Sequence, residues 1–199
     1  MTDLYANHVA ECQRRWELCL AAEGYSSAII HAGSEIIRFM DDWHYPFRPN
    51  PHFLSWLPLT RHHDSVLIVR SGKKPELYYH QPDDYWSRPP EDPEPWWADQ
   101  FDVHLVREAE GWKKASRDSR TALVGDAPSL TAIAADGNLN PARLINRIHL
   151  ERTRKTEYEI ACMQRAGELA AIGHIAAERA FRDGASEYQI HQVHRTEVI

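Results

Sequence analysis

Two carboxylates set among aromatic rings are the feature of this sequence best suited to chemistry. Phe39-Met40-Asp41-Asp42-Trp43-His44-Tyr45-Pro46-Phe47 runs on through Arg48-Pro49-Asn50-Pro51-His52-Phe53, and a second cluster follows at Asp83-Asp84-Tyr85-Trp86. Carboxylates beside rings in a loop could hold a cationic group, the acids supplying charge and the rings a wall that excludes water. The same composition describes a surface loop whose rings pack on a sheet and whose acids are solvated. The residues by themselves leave both readings open.

Histidine is the compositional oddity, 12 in 199 residues, so imidazole must be weighed as a ligand or acid–base group. In Arg61-His62-His63-Asp64, adjacent side chains on a strand would point to opposite faces, a poor arrangement for two ligands to one ion. Glu187, His191 and His194 sit at i, i+4 and i+7 and can share one helix face. A solvated polar face of an amphipathic helix explains that pattern more simply. The sequence contains no P-loop, no G-x-G-x-x-G, no G-x-S-x-G and no H-E-x-x-H, which removes several common catalytic classes. Cys12, Cys19 and Cys162 lack C-x-x-C spacing, and Cys12 and Cys19 fall seven apart on one helix face. Core packing is the better reading than a disulfide or a zinc–cysteine site.

The elements that position these residues are those of an α/β chain. From Leu4 to Ala22, Val9, Cys12, Trp16, Cys19 and Leu20 recur at helical steps and stop near Gly24. Ser27–His31 reads as a strand, Ser65–Arg70 and Glu76–His80 as a hairpin turning at Gly72, and Phe101–Val106 and Thr121–Gly125 as further strands, giving a mixed sheet with helices on its faces. Tyr45–Pro58 and Gln81–Trp97 are long stretches without regular periodicity. Both are rich in Trp, Tyr and Phe, so they are expected to be ordered, packed excursions. Pro90-Glu91-Asp92-Pro93 matches a P-x-x-P ligand, but so Pro-rich a segment is better read as a loop spacer.

A net charge of −6, from 29 acidic against 23 basic residues, disfavours nucleic-acid binding, which needs clustered positive charge. No apolar run approaches the length of a membrane span and no secretory signal is visible, so a soluble, cytoplasmic protein is expected. Asn140-Pro141 opens a helix to about Leu150. Thr156 with Glu159 forms a capping box for a long helix reaching Gly184, and Ser186 with Gln189 caps another that is still running at Ile199. A domain boundary is expected between Leu150 and Lys155, dividing residues 1–152 from 153–199, with the chain cut inside its second domain. The two last helices then expose an apolar stripe, expected to pair with another chain.

The run from Asp41 to Phe53, the Asp84-Tyr85-Trp86 cluster, and Arg154-Lys155-Thr156 with Glu159, Cys162-Met163 and Ala166 resemble the bacterial Xaa-Pro dipeptidases, or prolidases, and their relatives called organophosphorus acid anhydrolases. The resemblance implies a creatinase-like N-terminal α/β domain, a mixed sheet flanked by helices, followed by two helices of an incomplete pita-bread catalytic domain. It implies hydrolysis of X-Pro dipeptides by two divalent metal ions, usually manganese, held by two Asp, one His and two Glu that would all lie beyond Ile199. This chain alone would then be inactive, with no catalytic residue and no metal site of its own. In the family's homodimers the N-terminal domain reaches over the partner's active site, and the resemblance assigns Asp42 and Trp86 to the wall of that pocket. Asp42 would meet the dipeptide's ammonium and Trp86 would close over apolar groups. The competing functions are a stand-alone, non-catalytic creatinase-like binding module and a small metalloenzyme built on Glu187, His191 and His194.

Overall fold

The computed structural model describes residues 2–83, 85, 88–115, 117–134 and 137–198. They form two compact units, Met1–Arg154 and Lys155–Ile199.

In the first unit, α1 (Thr2–Glu23) buries the stripe Tyr5, Val9, Cys12, Trp16, Cys19 and Leu20, the pattern of a helix laid on a core. Cys12 and Cys19 are free and buried. The chain then enters β1 (Ser27–His31), every residue of which is buried, as expected of a strand covered on both faces. After a long excursion containing α2 (Pro51–Leu54) come β2 (Val66–Arg70) and β3 (Glu76–His80), antiparallel neighbours joined through Gly72. The second excursion contains α3 (Pro95–Ala98) and leads to β4 (Asp102–Val106), parallel to β3. A 3-10 turn at Gly111–Lys114 precedes β5 (Thr121–Val124), which pairs with β1 in parallel. The sheet order is β4-β3-β2-β1-β5, mixed as expected.

Alternation along the strands builds two cores. Ile29, Val66, Ile68 and Leu123 share one face with Trp112, Ala127 and Leu130, the last opening onto α4 (Pro128–Thr131). The opposite set, Ala28, Ile30, Leu67 and Val69, is equally buried and faces the layer of α1, α2 and α5 (Ala142–Glu151). Glu23 of α1, with its side chain buried, pairs with both Arg143 and Arg147 of α5. Arg15 donates to the carbonyls of Glu151 and Arg154 at 3.0 and 2.8 Å, tying α1 to the segment that ends α5. The outer side of β5 is closed by the backbone of Asn138 and Asn140, which bonds Leu123 at 2.8 and 2.7 Å, so this edge offers no template for another strand.

The second unit is α6 (Glu157–Arg182) and α7 (Glu187–Val198). Thr156 and Glu159 make the expected capping box, and Ser186 and Gln189 exchange the equivalent bonds at 2.8 and 3.4 Å. Gly173 is its one buried helical residue among those described, while Ile160, Met163, Ile172, Ile175 and Phe181 are exposed. No helix among the described residues is long and apolar enough to cross a membrane.

Candidate functional site

The excursion after β1 is built as a projecting hairpin. It leaves the sheet at Gly33, whose φ of +105° suits glycine. Ile37 and His44 then bridge, the Arg38 amide donates to Trp43 and that of Tyr45 to Ile36, both at 2.9 Å. The tip turns through Met40 at φ +55°, and the Asp41 carboxylate accepts the Trp43 amide at 3.2 Å. Asp41 is thereby spent on the turn, while Asp42 is exposed beside it. Arg38 lies over the Tyr45 ring at 5.2 Å. The tip rings do not pack on the sheet: Phe39 is 92% and Trp43 73% exposed, so the second of the two readings of this loop fails at its tip, though it holds for Phe53 on the return. Trp86 and Asp84 lie outside the described residues. Asp83 pairs with Arg107 at 3.3 Å.

Asn50 fastens the return of the loop. Its amide group donates to the carbonyls of His31 and Val124 at 3.2 and 3.4 Å, its backbone N–H to Ala32 at 2.7 Å, and its Oδ1 accepts the His52 amide at 2.9 Å, capping α2. The Asn-Pro pair thus ties the ends of β1 and β5 to the loop. Phe53, Trp56 and Leu57 follow it into the core. The Pro-rich excursion is held similarly. The Tyr79 hydroxyl donates to Glu91 at 2.6 Å and Gln81 to Pro90 at 2.9 Å, which gives Pro90–Pro93 a spacer's role within the unit.

At the base of the hairpin the structure assembles what strand alternation had argued against. Arg61–Asp64 is not a strand but a turn entering β2, and Asp64 adopts φ +57°. That left-handed residue brings His63 and Asp64 side by side, Nδ1 to Oδ2 at 2.8 Å. Ser34 donates to the other Asp64 oxygen at 2.5 Å. His80 packs its ring 5.2 Å from that of His63, with Nδ1 at 3.2 Å from the His63 carbonyl, and its backbone N–H is held by Ser65 Oγ at 3.0 Å. From the hairpin, Glu35 approaches His44 at 3.8 Å and His63 at 4.0 Å. Glu35, His44, His63 and His80 line a cavity of about 680 Å³. The hydrogen bond with Asp64 raises the His63 pKa. Burial works to raise that of Asp64, but the bonds from His63 and Ser34 outweigh it and hold the carboxyl below its ordinary value.

His80 went unnoticed in the sequence although a signal was present. The hairpin register pairs Val66 with Tyr78, and two further steps of the same register set Asp64 opposite His80. Glu187, His191 and His194 do not assemble into a second cluster. Among the described residues, His63, Asp64 and His80 are the one His/Cys/Asp/Glu trio whose donor atoms lie within 4.8 Å of one another. His194 instead packs edge-on against His174 at 5.0 Å. The trio carries a single carboxylate and does not fit a pair of ions bridged by several carboxylates.

Residues 3–150 match the family model described as Xaa-Pro dipeptidase, N-terminal domain. Among curated proteins, the chain is 38% identical over 196 residues to an Xaa-Pro dipeptidase of Pseudoalteromonas atlantica, covering 98% of this chain and 44% of that protein. It is 39% identical over 193 residues to one of Stenotrophomonas maltophilia strain R551-3, covering 96% of this chain and 43% of the other. Among solved structures, aminopeptidase P from Escherichia coli in its low-pH form superposes with a TM-score of 0.53 at 20% identity, over 95% of this chain and 49% of that one. At that identity the likeness is one of fold. The chain spans less than half the length of the curated relatives it matches.

Proposed function

Because the chain belongs to the Xaa-Pro dipeptidase family, we propose that it serves as the N-terminal part of an enzyme that hydrolyses X-Pro dipeptides. In this reading residues 1–152 are the creatinase-like domain and residues 153–199 begin the catalytic one. The two divalent ions, manganese in our reading, would be held outside these 199 residues and would supply the hydrolytic water. The chain alone would then be inactive, and the whole protein a cytoplasmic homodimer.

The observation that carries the proposal is the hairpin between Ile36 and Tyr45, which extends exposed rings and the Asp42 carboxylate away from its own core. A domain that keeps its rings at the tip of a projecting loop is suited to closing a pocket it does not itself contain. Asp42 would face the free ammonium of a dipeptide in the partner subunit's pocket, and Trp86 would cover the apolar side chain. A carboxylate in that position orients the substrate without taking a proton.

The test is Asp42→Ala in the full-length protein that contains this chain. Loss of a charge-assisted hydrogen bond, roughly 1.5–3 kcal/mol, should raise KM for an X-Pro dipeptide by about 10- to 100-fold, with kcat little changed. Trp86→Ala should weaken dipeptides with large apolar X most. Unchanged kinetics in D42A would remove the assignment. Absence of dipeptidase activity in the full-length protein would favour a peptide- or protein-binding module.

A further inference from the structure

We propose that His63, Asp64 and His80 form a binding site for one divalent transition-metal ion of the zinc class, with the remaining position left to solvent. The inference concerns binding by this chain and does not depend on dipeptide hydrolysis.

The donor set is that of such ions, two imidazoles and a carboxylate. One donor atom from each of the three residues already lies within 4.8 Å of the others. Tetrahedral zinc, with bonds near 2.0–2.2 Å, places its donors about 3.4 Å apart, so closure needs side-chain movements on the order of 1 Å. Glu35 approaches the other ring nitrogen of His63, Nε2, at 4.0 Å and lies outside this trio. The site borders a cavity of about 680 Å³ lined by His63 and His80, which gives an ion a way in.

The supporting bonds are those a metal site needs. Ligating histidines characteristically engage their second ring nitrogen with a carbonyl, and ligating carboxylates are themselves hydrogen-bonded. His80 Nδ1 faces the His63 carbonyl at 3.2 Å and its imidazole also meets the Arg107 backbone, so an ion would displace one of these two contacts. Asp64 is fixed through its second oxygen by Ser34 at 2.5 Å. His80 is buried and Asp64 nearly so, and both stand on or beside sheet strands, so the donors are held by rigid elements. An ion here would take the place of the proton shared by His63 and Asp64. Through Asp64, which Ser34 holds, it would pin the base of the hairpin whose tip carries Asp42.

The experiment is isothermal titration of the metal-stripped 199-residue chain with zinc chloride, paralleled by Co²⁺ titration read through its ligand-field absorption. One ion per chain is expected, with a Co²⁺ spectrum of tetrahedral type. His63→Ala and His80→Ala should each weaken binding by at least about 100-fold, and Ser34→Ala by roughly 10-fold. Circular dichroism checks the fold of each variant. Should His80→Ala fail to fold, Asp64→Asn, which keeps the shape of the side chain, should still lower affinity and alter the Co²⁺ spectrum. No binding at stoichiometric zinc, or binding that His63→Ala and Asp64→Asn leave intact, would overturn the proposal.

Discussion

His52 shows what one buried imidazole does to the unit that holds it. Its ring stacks on His149 at 5.1 Å and meets Trp16 edge-on at 6.1 Å, linking α2 to α5 and α1. Burial, aided by the charges of Arg152 and His149, depresses its pKa from 6.5 to about 4. Between those values the unfolded chain takes up a proton that the folded one refuses, so this residue's stabilisation is complete above about pH 6.5 and is lost as the pH falls toward 4. Urea unfolding midpoints measured from pH 7.5 to 4.5 should therefore fall with acidity, and His52→Phe should flatten the slope. Part of it should remain, because burial holds His31 to about 4 as well. An equal slope in both proteins would refute the assignment. At this scale the sequence was legible where residue type alone decides, as in the core cysteines. It misled where backbone conformation decides: strand alternation set His63 and Asp64 apart, and a single left-handed residue at Asp64 set them together.

Elements whose cause is local were readable in advance. The stripe of α1, the strands, the Gly72 hairpin and both capping boxes each rest on neighbours within a few residues, and each lies where its pattern put it. The four-residue helices α2, α3 and α4 went unread, because one turn leaves no room for periodicity. Their sequence mark is a proline in the first turn, which serves turns equally well. The cap of α6 offers a clean test of an element. Thr156 accepts the Glu159 amide at 3.3 Å and Glu159 returns a bond to the Thr156 amide at 2.8 Å. Thr156→Ala should destabilise the Lys155–Ile199 unit by about 1 kcal/mol, read by thermal unfolding at 222 nm, and Thr156→Ser should restore most of it. An unaltered melting curve would show that the helix start is fixed by other contacts.

At the scale of the whole molecule, α6 and α7 expose Ile172, Ile175, Phe181 and Tyr188, an apolar surface that monomers usually cover. The 199-residue chain is expected to self-associate through it, seen as a concentration-dependent sedimentation coefficient and as binding of an apolar dye that fades as the oligomer forms. A strict monomer that binds no dye would contradict this. The strand order was the part of the fold least visible beforehand, since the pairing of β1 with both β2 and β5 leaves no periodic trace in either partner. That pairing also has a consequence in time. β1 finds β2 across about 40 residues but meets β5 only across 94, Ser27 against Thr121. Closing so long a loop is a late step in folding. During synthesis one flank of β1 must wait, its amides and carbonyls unpaired, until some hundred further residues have left the ribosome. Over that interval the growing chain is most open to strand exchange with a neighbour or capture by a chaperone.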